Sequence, residues 1–353
     1  MAQAGPMNAE TLAGQLLVVG YPDVDPPVPL REQLARGHRA GVTLFKRNIP
    51  EDLRHLPGLL RDLAPTTSEY PALVSVDQEG GRVMRMRAPT LPVPAVAKLG
   101  GLGDAFIERV ANAQSLELRA LGFSMNFAPV LDVHTEPQNP IIGDRAFGTT
   151  AQQVIARAGA WARGMKRAGL LSCGKHFPGH GDTNVDSHLA LPRVSHNVNR
   201  LHTTEMFPFL KLASDVDAMM TAHVVYDTLD AGRPATLSHA ICTKLLRDKL
   251  GFQGVLFSDD LEMKALSRKV EDNAIAAVNA GCDLLLICSD EAYADAAHRA
   301  LTREIEKSDA FRARAMDAVW RSLRMRRRAV PSPDRARFSA LVVEHAELAL
   351  ELA

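Results

Sequence analysis

Residues 170–188 have the sequence LLSCGKHFPGHGDTNVDSH, in which an apolar run ends at Lys175 and His176. The apolar run has the length and composition of a strand that is buried on both faces, as the strands of a parallel sheet are. The segment after it is rich in glycine, histidine and aspartate, which predicts a polar loop. The charged residues of this loop could bind a metal, transfer protons or only shape the chain.

Apolar runs of the same kind recur along the chain, and amphipathic helical patterns fill most of the gaps between them. Eight buried strands that alternate with helices predict an α/β fold, here a (β/α)8 barrel of the TIM type. An open doubly wound sheet is the alternative, but the glycine-rich phosphate turn typical of it is absent. The predicted strands are GQLLVVGY (14–21), GVTLFKR (41–47), ALVSVDQ (72–78), SMNFAPVLDV (124–133), LLSCGKHF (170–177), DAMMTAHVVY (217–226), GVLFSDD (254–260) and DLLLICS (283–289).

We expect residues 1–353 to form a single domain, in which residues 291–353 are a helical C-terminal extension packed on the barrel. Helices are predicted before the extension at 103–123, 150–169, 238–252 and 262–282, with Thr150 and Ser238 as N-caps and Gly169 just past a helix end. The segment MRRRAVPSPDR (325–335) has the composition of an exposed connector. Its basic run, Arg326–Arg328, is more typical of a solvated helix end than of a nucleic-acid patch.

The composition narrows the functional classes. The chain has 353 residues, of which 46% are hydrophobic, and its 41 acidic and 41 basic residues balance. A neutral chain has no global field to attract nucleic acid or an anionic membrane. No run approaches the roughly 20 apolar residues that a membrane span needs, and the first 15 residues lack the features of a signal peptide. Four cysteines without CxxC spacing suggest a reducing compartment, so we expect a cytoplasmic location. We also expect a monomer.

In α/β barrels the active site lies at the carboxyl ends of the strands. In this sequence polar residues end or follow strand after strand, where a buried run would otherwise continue. This pattern predicts a polar site that gathers side chains from several strands. The residues concerned are Asp77, Asp132, Lys175, His176, His223, Ser258, Asp259 and Asp260.

A metal site is one interpretation of the polar loop, because His180, Asp182, Asp186 and His188 offer ligands at close spacing. A metal-dependent barrel of the amidohydrolase type therefore stays open as an alternative. However, no HxH pair occurs on an early strand, the four residues share one loop, and Lys175 would repel a divalent cation. We expect no metal and no other cofactor.

Four motifs make a more specific case. DQEGGR (77–82), GKHFPGHG (174–181), DSH (186–188) and GFQGVLFSDDL (251–261) resemble the signatures of glycoside hydrolase family 3. They are most similar to those of its bacterial β-N-acetylhexosaminidases of peptidoglycan recycling, in the right order over roughly residues 10 to 290. The resemblance implies an exo-acting, retaining β-N-acetylglucosaminidase that removes terminal β-linked GlcNAc. It implies GlcNAc-1,6-anhydroMurNAc and its peptides as small-molecule substrates.

The resemblance also implies roles for individual residues. Asp259, the first aspartate of the SDD motif, would be the nucleophile that forms a glycosyl-enzyme intermediate. His188 would donate and accept the proton, and Asp186 would orient it by bonding one imidazole nitrogen. Asp260 we expect to cap the following helix. The residues implied in binding sugar hydroxyls are Asp77, Arg85, Arg145, Lys175 and His176.

The other residues of the motifs have simpler expected roles. His180 and Asp182 are expected to shape the loop, and His223 is either a pocket wall or a buried barrel histidine. Few aromatic side chains are available for stacking, since the chain has two Trp, four Tyr and twelve Phe. A compact pocket for one terminal sugar is therefore expected. A phosphorylase that uses the same site, and a sugar sensor without catalysis, are the remaining alternatives.

Overall fold

The computed structural model describes residues 7–64, 69–183 and 191–352. Eight strands of this part of the chain form a closed parallel barrel in the order β1-β8-β7-β6-β5-β4-β3-β2. Each strand lies within one of the eight predicted runs, so the predicted (β/α)8 barrel is confirmed. The strands are β1 (Leu17–Val19), β2 (Gly41–Leu44), β3 (Leu73–Val76), β4 (Met125–Asn126), β5 (Leu171–Phe177), β6 (Ala218–Thr221), β7 (Val255–Asp260) and β8 (Leu284–Ile287).

Two small sheets form in addition to the barrel. One consists of Gln78–Gly80 and Val83–Met84, and the other of Arg193–Val194, Val225–Tyr226 and Ala231–Pro234.

The helices follow the strands along the chain. The α-helices are α1 (Ala9–Gly14), α2 (Val28–Ala35), α3 (Leu56–Leu63), α4 (Asp104–Leu121), α5 (Ala151–Ala168), α6 (Val198–Thr203), α7 (Phe207–Lys211), α8 (Asp227–Asp230), α9 (Val270–Ala280), α10 (Glu291–Lys307), α11 (Asp309–Arg326), α12 (Arg335–Glu344) and α13 (Ala346–Glu351), and Ala240–Lys249 is a π-helix.

Alternation along the strands divides the hydrophobic core into two layers. Along β8, Leu284 and Leu286 belong to one cluster of buried side chains, and Leu285 and Ile287 belong to the other. The cluster that contains Leu285 and Ile287 also contains most of the buried helical residues, so it fills the space between strands and helices. The cluster that contains Leu284 and Leu286 fills the barrel interior, because successive side chains of a strand point to opposite faces.

Helix α5 forms where the capping signals predict it. The Thr150 hydroxyl accepts a hydrogen bond from the backbone N–H of Gln153, whose side chain accepts one from the Thr150 N–H. This reciprocal pair satisfies two N–H groups that the helix itself cannot. Gly169 ends the helix with a φ of 73°, which glycine adopts without a steric penalty.

The helix predicted at 262–282 begins eight residues later than expected, at Val270. The cause is Glu262, whose carboxylate accepts hydrogen bonds from the backbone N–H groups of Cys288, Ser289 and Asp290 at 2.6–3.2 Å. Glu262 therefore ties the segment after β7 to the segment after β8 instead of extending a helix. As a result, residues 261–269 form a loop at the carboxyl end of the barrel.

The expectation for Arg326 was wrong. Arg326 lies in the basic run that we expected to be solvated, yet it is buried, and its guanidinium donates to the carbonyls of Ala40 and Pro71 and to Gln15 Oε1. These acceptors lie before β1, β2 and β3, at the amino end of the barrel. Helix α11 thus closes this end with a side chain that donates to two backbone carbonyls and one side-chain oxygen near the starts of three strands. In the described part of the chain, no helix is both long enough and apolar enough to cross a bilayer.

Candidate active site

A cavity of about 240 Å³ lies at the carboxyl ends of the strands. Its wall contains residues that end or follow β2, β3, β4, β5, β7 and β8, as expected for a barrel active site. Six of the eight residues predicted for the site line it, so the barrel brings together side chains that are far apart in the sequence. These six are Asp77, Arg85, Arg145, Lys175, His176 and Asp259.

The two remaining residues, Asp186 and His188, lie outside the described residues. Their proposed roles in proton transfer stay predictions. Thr183 and Leu191 are the described residues on either side of this segment, and Thr183 is buried against Asn139, whose Nδ2 lies 3.2 Å from its hydroxyl.

A network of buried charges forms one side of the cavity. Lys175 Nζ lies 2.7 Å from Asp77 Oδ1 and 2.6 Å from Glu79 Oε1. Arg85 contacts the other oxygen of Asp77 at 3.0 Å, and Arg145 binds both oxygens of Glu79 at 2.8 Å. Two carboxylates are thus held between three cations, and bidentate contacts of this kind fix direction as well as distance.

The charges in this network set the protonation states. Burial alone would raise the pKa of Glu79, but Arg145 and Lys175 outweigh it and hold that pKa at about 2. Burial also opposes the charge of Asp77, yet Lys175 and Arg85 keep its pKa well below the usual range. The pKa of Lys175 is raised despite its burial, because Asp77 and Glu79 face it. All three groups are therefore ionised at neutral pH.

Glu79 lines the cavity and contacts Lys175, but sequence reasoning missed it. Its signal was available, because Asp77 and Glu79 are two residues apart and the chain is extended here, so both side chains point the same way. Phe45, which directly follows β2, was missed as well. It lines the cavity, and the guanidinium carbon of Arg85 lies 5.5 Å from the centre of its ring.

His176 is oriented by Asp132, which lies beyond β4. Its Nδ1 is 2.7 Å from Asp132 Oδ2, and Asp132 also accepts hydrogen bonds from the backbone N–H groups of His176 and His180. With Nδ1 committed to the carboxylate, Nε2 is the nitrogen left for a ligand in the cavity. Sequence analysis placed Asp132 at a strand end but gave it no role.

Asp259, the predicted nucleophile, occupies the penultimate position of β7 and lines the cavity. Burial raises its pKa, but His223, His176 and the backbone N–H of Asp260, which donates to Asp259 Oδ1 at 2.8 Å, together bring the pKa below its usual range. The carboxylate is therefore ionised at neutral pH, which is the state a nucleophile needs.

Asp260 differs from Asp259 although the two are adjacent. It does not cap a helix as expected, because no helix begins before Val270; its Oδ1 accepts a hydrogen bond from the Glu262 N–H at 3.1 Å. Burial, with the nearby charge of Glu262, raises the pKa of Asp260 to about 7. Among the described residues, Asp260 has no cation in contact with its carboxyl group.

Among the described residues, two further histidines near the site, His223 and His180, are buried. His223 has no exposed surface, and its ring nitrogens lie 2.7 Å from Thr236 Oγ1 and 2.8 Å from the carbonyl oxygen of Asp260. His180 lines the cavity with Nδ1 at 2.8 Å from Thr183 Oγ1. Burial and the proximity of His176 lower the pKa of His180 to about 4, so it is neutral at pH 7.

A metal site would require several donor atoms close together and free of other partners. Among the described residues, the group with suitable spacing for a metal is Asp182, His196 and Glu205, none of which lines the cavity. Arg200 already bridges its carboxylates, at 3.0 Å from Asp182 and 3.2 Å from Glu205. In the cavity itself, the acids Asp77 and Glu79 are paired with cations. This arrangement favours binding of sugar hydroxyls over binding of a metal ion.

Comparisons with known proteins agree with this geometry. The sequence profile described as the N-terminal domain of glycosyl hydrolase family 3 matches residues 10–325. A β-hexosaminidase of Pseudomonas aeruginosa is 38% identical over 280 residues, which cover 77% of this chain and 82% of that protein. A β-hexosaminidase of Methylococcus capsulatus is 40% identical over 269 residues, which cover 73% of this chain and 78% of that protein.

Solved structures show the same likeness. A family 3 β-N-acetylglucosaminidase from Paenibacillus sp. str. FPU-7 superposes with a TM-score of 0.85 at 37% identity, covering 94% of this chain and 63% of that longer chain. NagZ from Neisseria gonorrhoeae superposes with a TM-score of 0.74 at 27% identity, covering 87% of this chain and 97% of that one. With the barrel, its strand-end cavity and these relatives taken together, the chain belongs to glycoside hydrolase family 3.

Proposed function

We propose that the protein is an exo-acting, retaining β-N-acetylglucosaminidase. The observation that carries the proposal is the ionised carboxylate of Asp259 at the end of β7, which lines the same small cavity as a network of charged hydrogen-bonding groups. The cavity volume of about 240 Å³ is below the roughly 300 Å³ at which sites for drug-sized ligands begin. One terminal sugar fits such a space better than a polysaccharide chain does.

In the proposed first step, Asp259 attacks the anomeric carbon of the sugar. A bond forms between a carboxylate oxygen and this carbon while the glycosidic C–O bond breaks, and the leaving oxygen takes a proton from the imidazolium of His188. In the second step His188 accepts a proton from water, whose oxygen displaces Asp259 from the anomeric carbon. Asp186 would hold the imidazole in the required tautomer throughout.

The charged network is proposed to hold the sugar during both steps. Asp77, Arg85 and Lys175 would bind hydroxyl groups of the ring, and Arg145 and His176 would complete the set. Because these groups are already ordered by one another and by Asp132, little reorganisation is needed when the sugar binds. This explains why so many charges are buried at one end of the barrel.

The finer parts of the proposal concern the natural substrate and its location. We propose GlcNAc-1,6-anhydroMurNAc and its peptides as substrates, because the four sequence motifs resemble those of the bacterial β-N-acetylhexosaminidases of peptidoglycan recycling. We propose that the enzyme is a monomer. We also propose a cytoplasmic location, since all four cysteines are buried and none forms a disulfide.

Trapping with a fluorinated N-acetylglucosaminyl fluoride, followed by peptide mass spectrometry, tests the mechanism. The label is expected on the peptide that contains Asp259, and the Asp259→Asn variant should carry none. A label on a different carboxylate would reject Asp259 as nucleophile. Product analysis in phosphate buffer separates hydrolysis from phosphorolysis, because the first yields GlcNAc and the second GlcNAc-1-phosphate.

A further inference from the structure

His223 is a buried titratable residue that the proposed reaction steps do not use. It lies two residues after β6, has no exposed surface and does not line the strand-end cavity. Its Nε2 lies 2.8 Å from the carbonyl oxygen of Asp260, the residue that follows the proposed nucleophile. Because a carbonyl oxygen only accepts hydrogen bonds, Nε2 must carry a hydrogen and donate it. The imidazole is therefore bonded to the backbone beside Asp259.

Thr236 contacts the other nitrogen of this ring. Its hydroxyl oxygen is buried and lies 2.7 Å from His223 Nδ1 and 2.8 Å from Thr221 Oγ1. Since both ring nitrogens have partners, the imidazole cannot rotate without breaking two hydrogen bonds, and partners of this kind fix the orientation of a histidine. His223 is thus a firmly placed donor to the Asp260 carbonyl.

The register between β7 and β8 shifts by one residue beside the nucleophile. Phe257 is opposite Leu284. Three residues further along β7, Asp260 is opposite Leu286, which is only two residues along β8 from Leu284. In a regular strand, the adjacent side chains of Asp259 and Asp260 would point to opposite faces. With the shift, both line the strand-end cavity, as Leu286 does, and irregularities of this kind commonly redirect side chains at active sites.

The backbone of Asp260 links His223 to the nucleophile. Its N–H donates to Asp259 Oδ1 at 2.8 Å, and its carbonyl oxygen accepts from His223 at 2.8 Å and from the Met263 N–H at 3.2 Å. A rotation of residue 260 that breaks the bond to His223 would also move the N–H that holds the carboxylate of Asp259. The orientation of the nucleophile therefore depends on a side chain that does not reach the cavity.

We propose that His223 is a positioning residue, which keeps the Asp259 carboxylate directed at the anomeric carbon by holding the backbone of Asp260. The proposal rests on the proposed glycosidase function, because it assigns Asp259 the role of nucleophile. Attack requires close approach and alignment, and a misplacement of about 1 Å can lower the rate about 100-fold. The charged network that is proposed to bind the sugar does not include His223, so its loss should act on kcat and leave KM nearly unchanged.

Two substitutions of His223 test the proposal with a nitrophenyl β-GlcNAc as substrate. His223→Phe keeps a planar ring but removes the donor, so kcat should fall by about 30-fold with KM within about twofold of the wild type. His223→Gln restores an N–H donor that can reach the Asp260 carbonyl, and its kcat should return to within about threefold of the wild type. A role in packing alone would not be rescued by a polar amide.

Thr236→Val is a second test, which does not depend on the folding of a His223 variant. It removes the hydroxyl that contacts Nδ1 and keeps the shape of the side chain, so kcat should fall by about fivefold, the effect of one hydrogen bond. The matched control is His345→Phe. His345 is also largely buried, with Nδ1 2.8 Å from Glu117 Oε1, but it does not line the strand-end cavity. This control should keep the wild-type kcat.

Three kinetic results would overturn the positioning role. The first is a wild-type kcat in both His223→Phe and Thr236→Val. The second is an equal loss of kcat in His223→Phe and His223→Gln. The third is a loss that lies entirely in KM.

Failure of the proposed function gives a different result. If the wild type does not cleave the nitrophenyl β-GlcNAc, the glycosidase proposal fails. Crystal structures of the wild type, His223→Phe and His223→Gln then test the positioning role by itself. A carboxylate of Asp259 that turns away in His223→Phe and returns in His223→Gln supports it, and the same orientation in all three structures rejects it.

Discussion

Each end of the barrel buries a network of charges, but the two networks have different surroundings. At the carboxyl end, Lys175 and its partners Asp77 and Glu79 line a cavity. At the amino end, Asp283, just before β8, is fully buried and receives the guanidinium groups of three arginines at 2.6–2.9 Å. These are Arg247, Arg314 and Arg321.

The difference lies in what remains available to a ligand. Asp283 also accepts the backbone N–H of Leu256, so its oxygens are committed to holding α11 and the Ala240–Lys249 helix against the strands. The network at the carboxyl end faces open space, where its remaining donors and acceptors can meet a sugar. Burial of charge therefore does not by itself identify a catalytic site; the network at the carboxyl end differs in that both of its carboxylates, Asp77 and Glu79, line the cavity.

The largest expected effect in this comparison is that of Asp259→Asn. The change keeps the shape of the side chain but removes the charge that attacks the sugar, so kcat on a nitrophenyl β-GlcNAc should fall by about 10⁴-fold or more. The thermal midpoint should stay within a few degrees of the wild type. A variant that keeps a tenth of the activity would rule out Asp259 as the nucleophile.

Asp283→Asn should have the opposite pattern. Removing this charge takes the shared carboxylate from three partly buried guanidinium groups, and Arg247 then has no acid partner among the described residues, so the free energy of unfolding should fall by about 3 kcal/mol. Denaturant titration measures this loss, and kcat of the folded protein should be unchanged because Asp283 lies at the far end of the barrel. Loss of activity without loss of stability would contradict the division between the two ends.

Glu79→Gln is expected to affect both properties, since it combines burial with a position in the cavity. Arg145 and Lys175 would lose one anionic partner and shift, which should lower kcat/KM by about 30-fold and stability by about 2 kcal/mol. Steady-state kinetics and denaturant unfolding on the same preparation measure the two effects. An unchanged kcat/KM would show that Glu79 is structural, as Asp283 is.

A pH-dependent effect is expected for Asp260, the carboxyl group of the site without a cationic partner among the described residues. Its pKa is raised to about 7 from an ordinary value of 3.8, so the folded protein holds this proton more tightly than the unfolded chain. The group therefore stabilises the fold below pH 4, and this contribution is lost as the pH rises from about 4 to about 7.

Comparison with Asp260→Asn isolates the contribution, because asparagine does not titrate. The free energy of unfolding of the variant, relative to the wild type, should increase between pH 4 and pH 7 and then level off. A constant difference across this range would mean that the pKa of Asp260 is ordinary. Glu79, whose pKa is lowered from 4.5 to about 2, has the opposite sign: its contribution to stability is present above about pH 4.5 and is lost as the pH falls towards 2.

Sequence reasoning predicted most of the barrel and part of the site, for a physical reason that the residues make clear. The β5 run is apolar up to Gly174, and the charged pair Lys175 and His176 then marks the end that faces the cavity. A change of this kind from buried apolar residues to charged residues is visible in consecutive positions of the sequence. The helix predicted directly after β7 does not form there, because Glu262 binds the segment after β8, 26 to 28 residues away. Local sequence does not show such a distant contact.

The sequence by itself determined the eight strands and their order along the chain. It also determined the positions of Asp77, Lys175, His176 and Asp259 at strand ends, because burial patterns are local. Only the tertiary structure decided which charges meet. Glu79 finds Arg145 across 66 residues, and Arg326 finds the start of the barrel across 286. Protonation states depend on those partners and on burial, so neither the low pKa of Glu79 nor the high pKa of Asp260 can be predicted before the chain is folded.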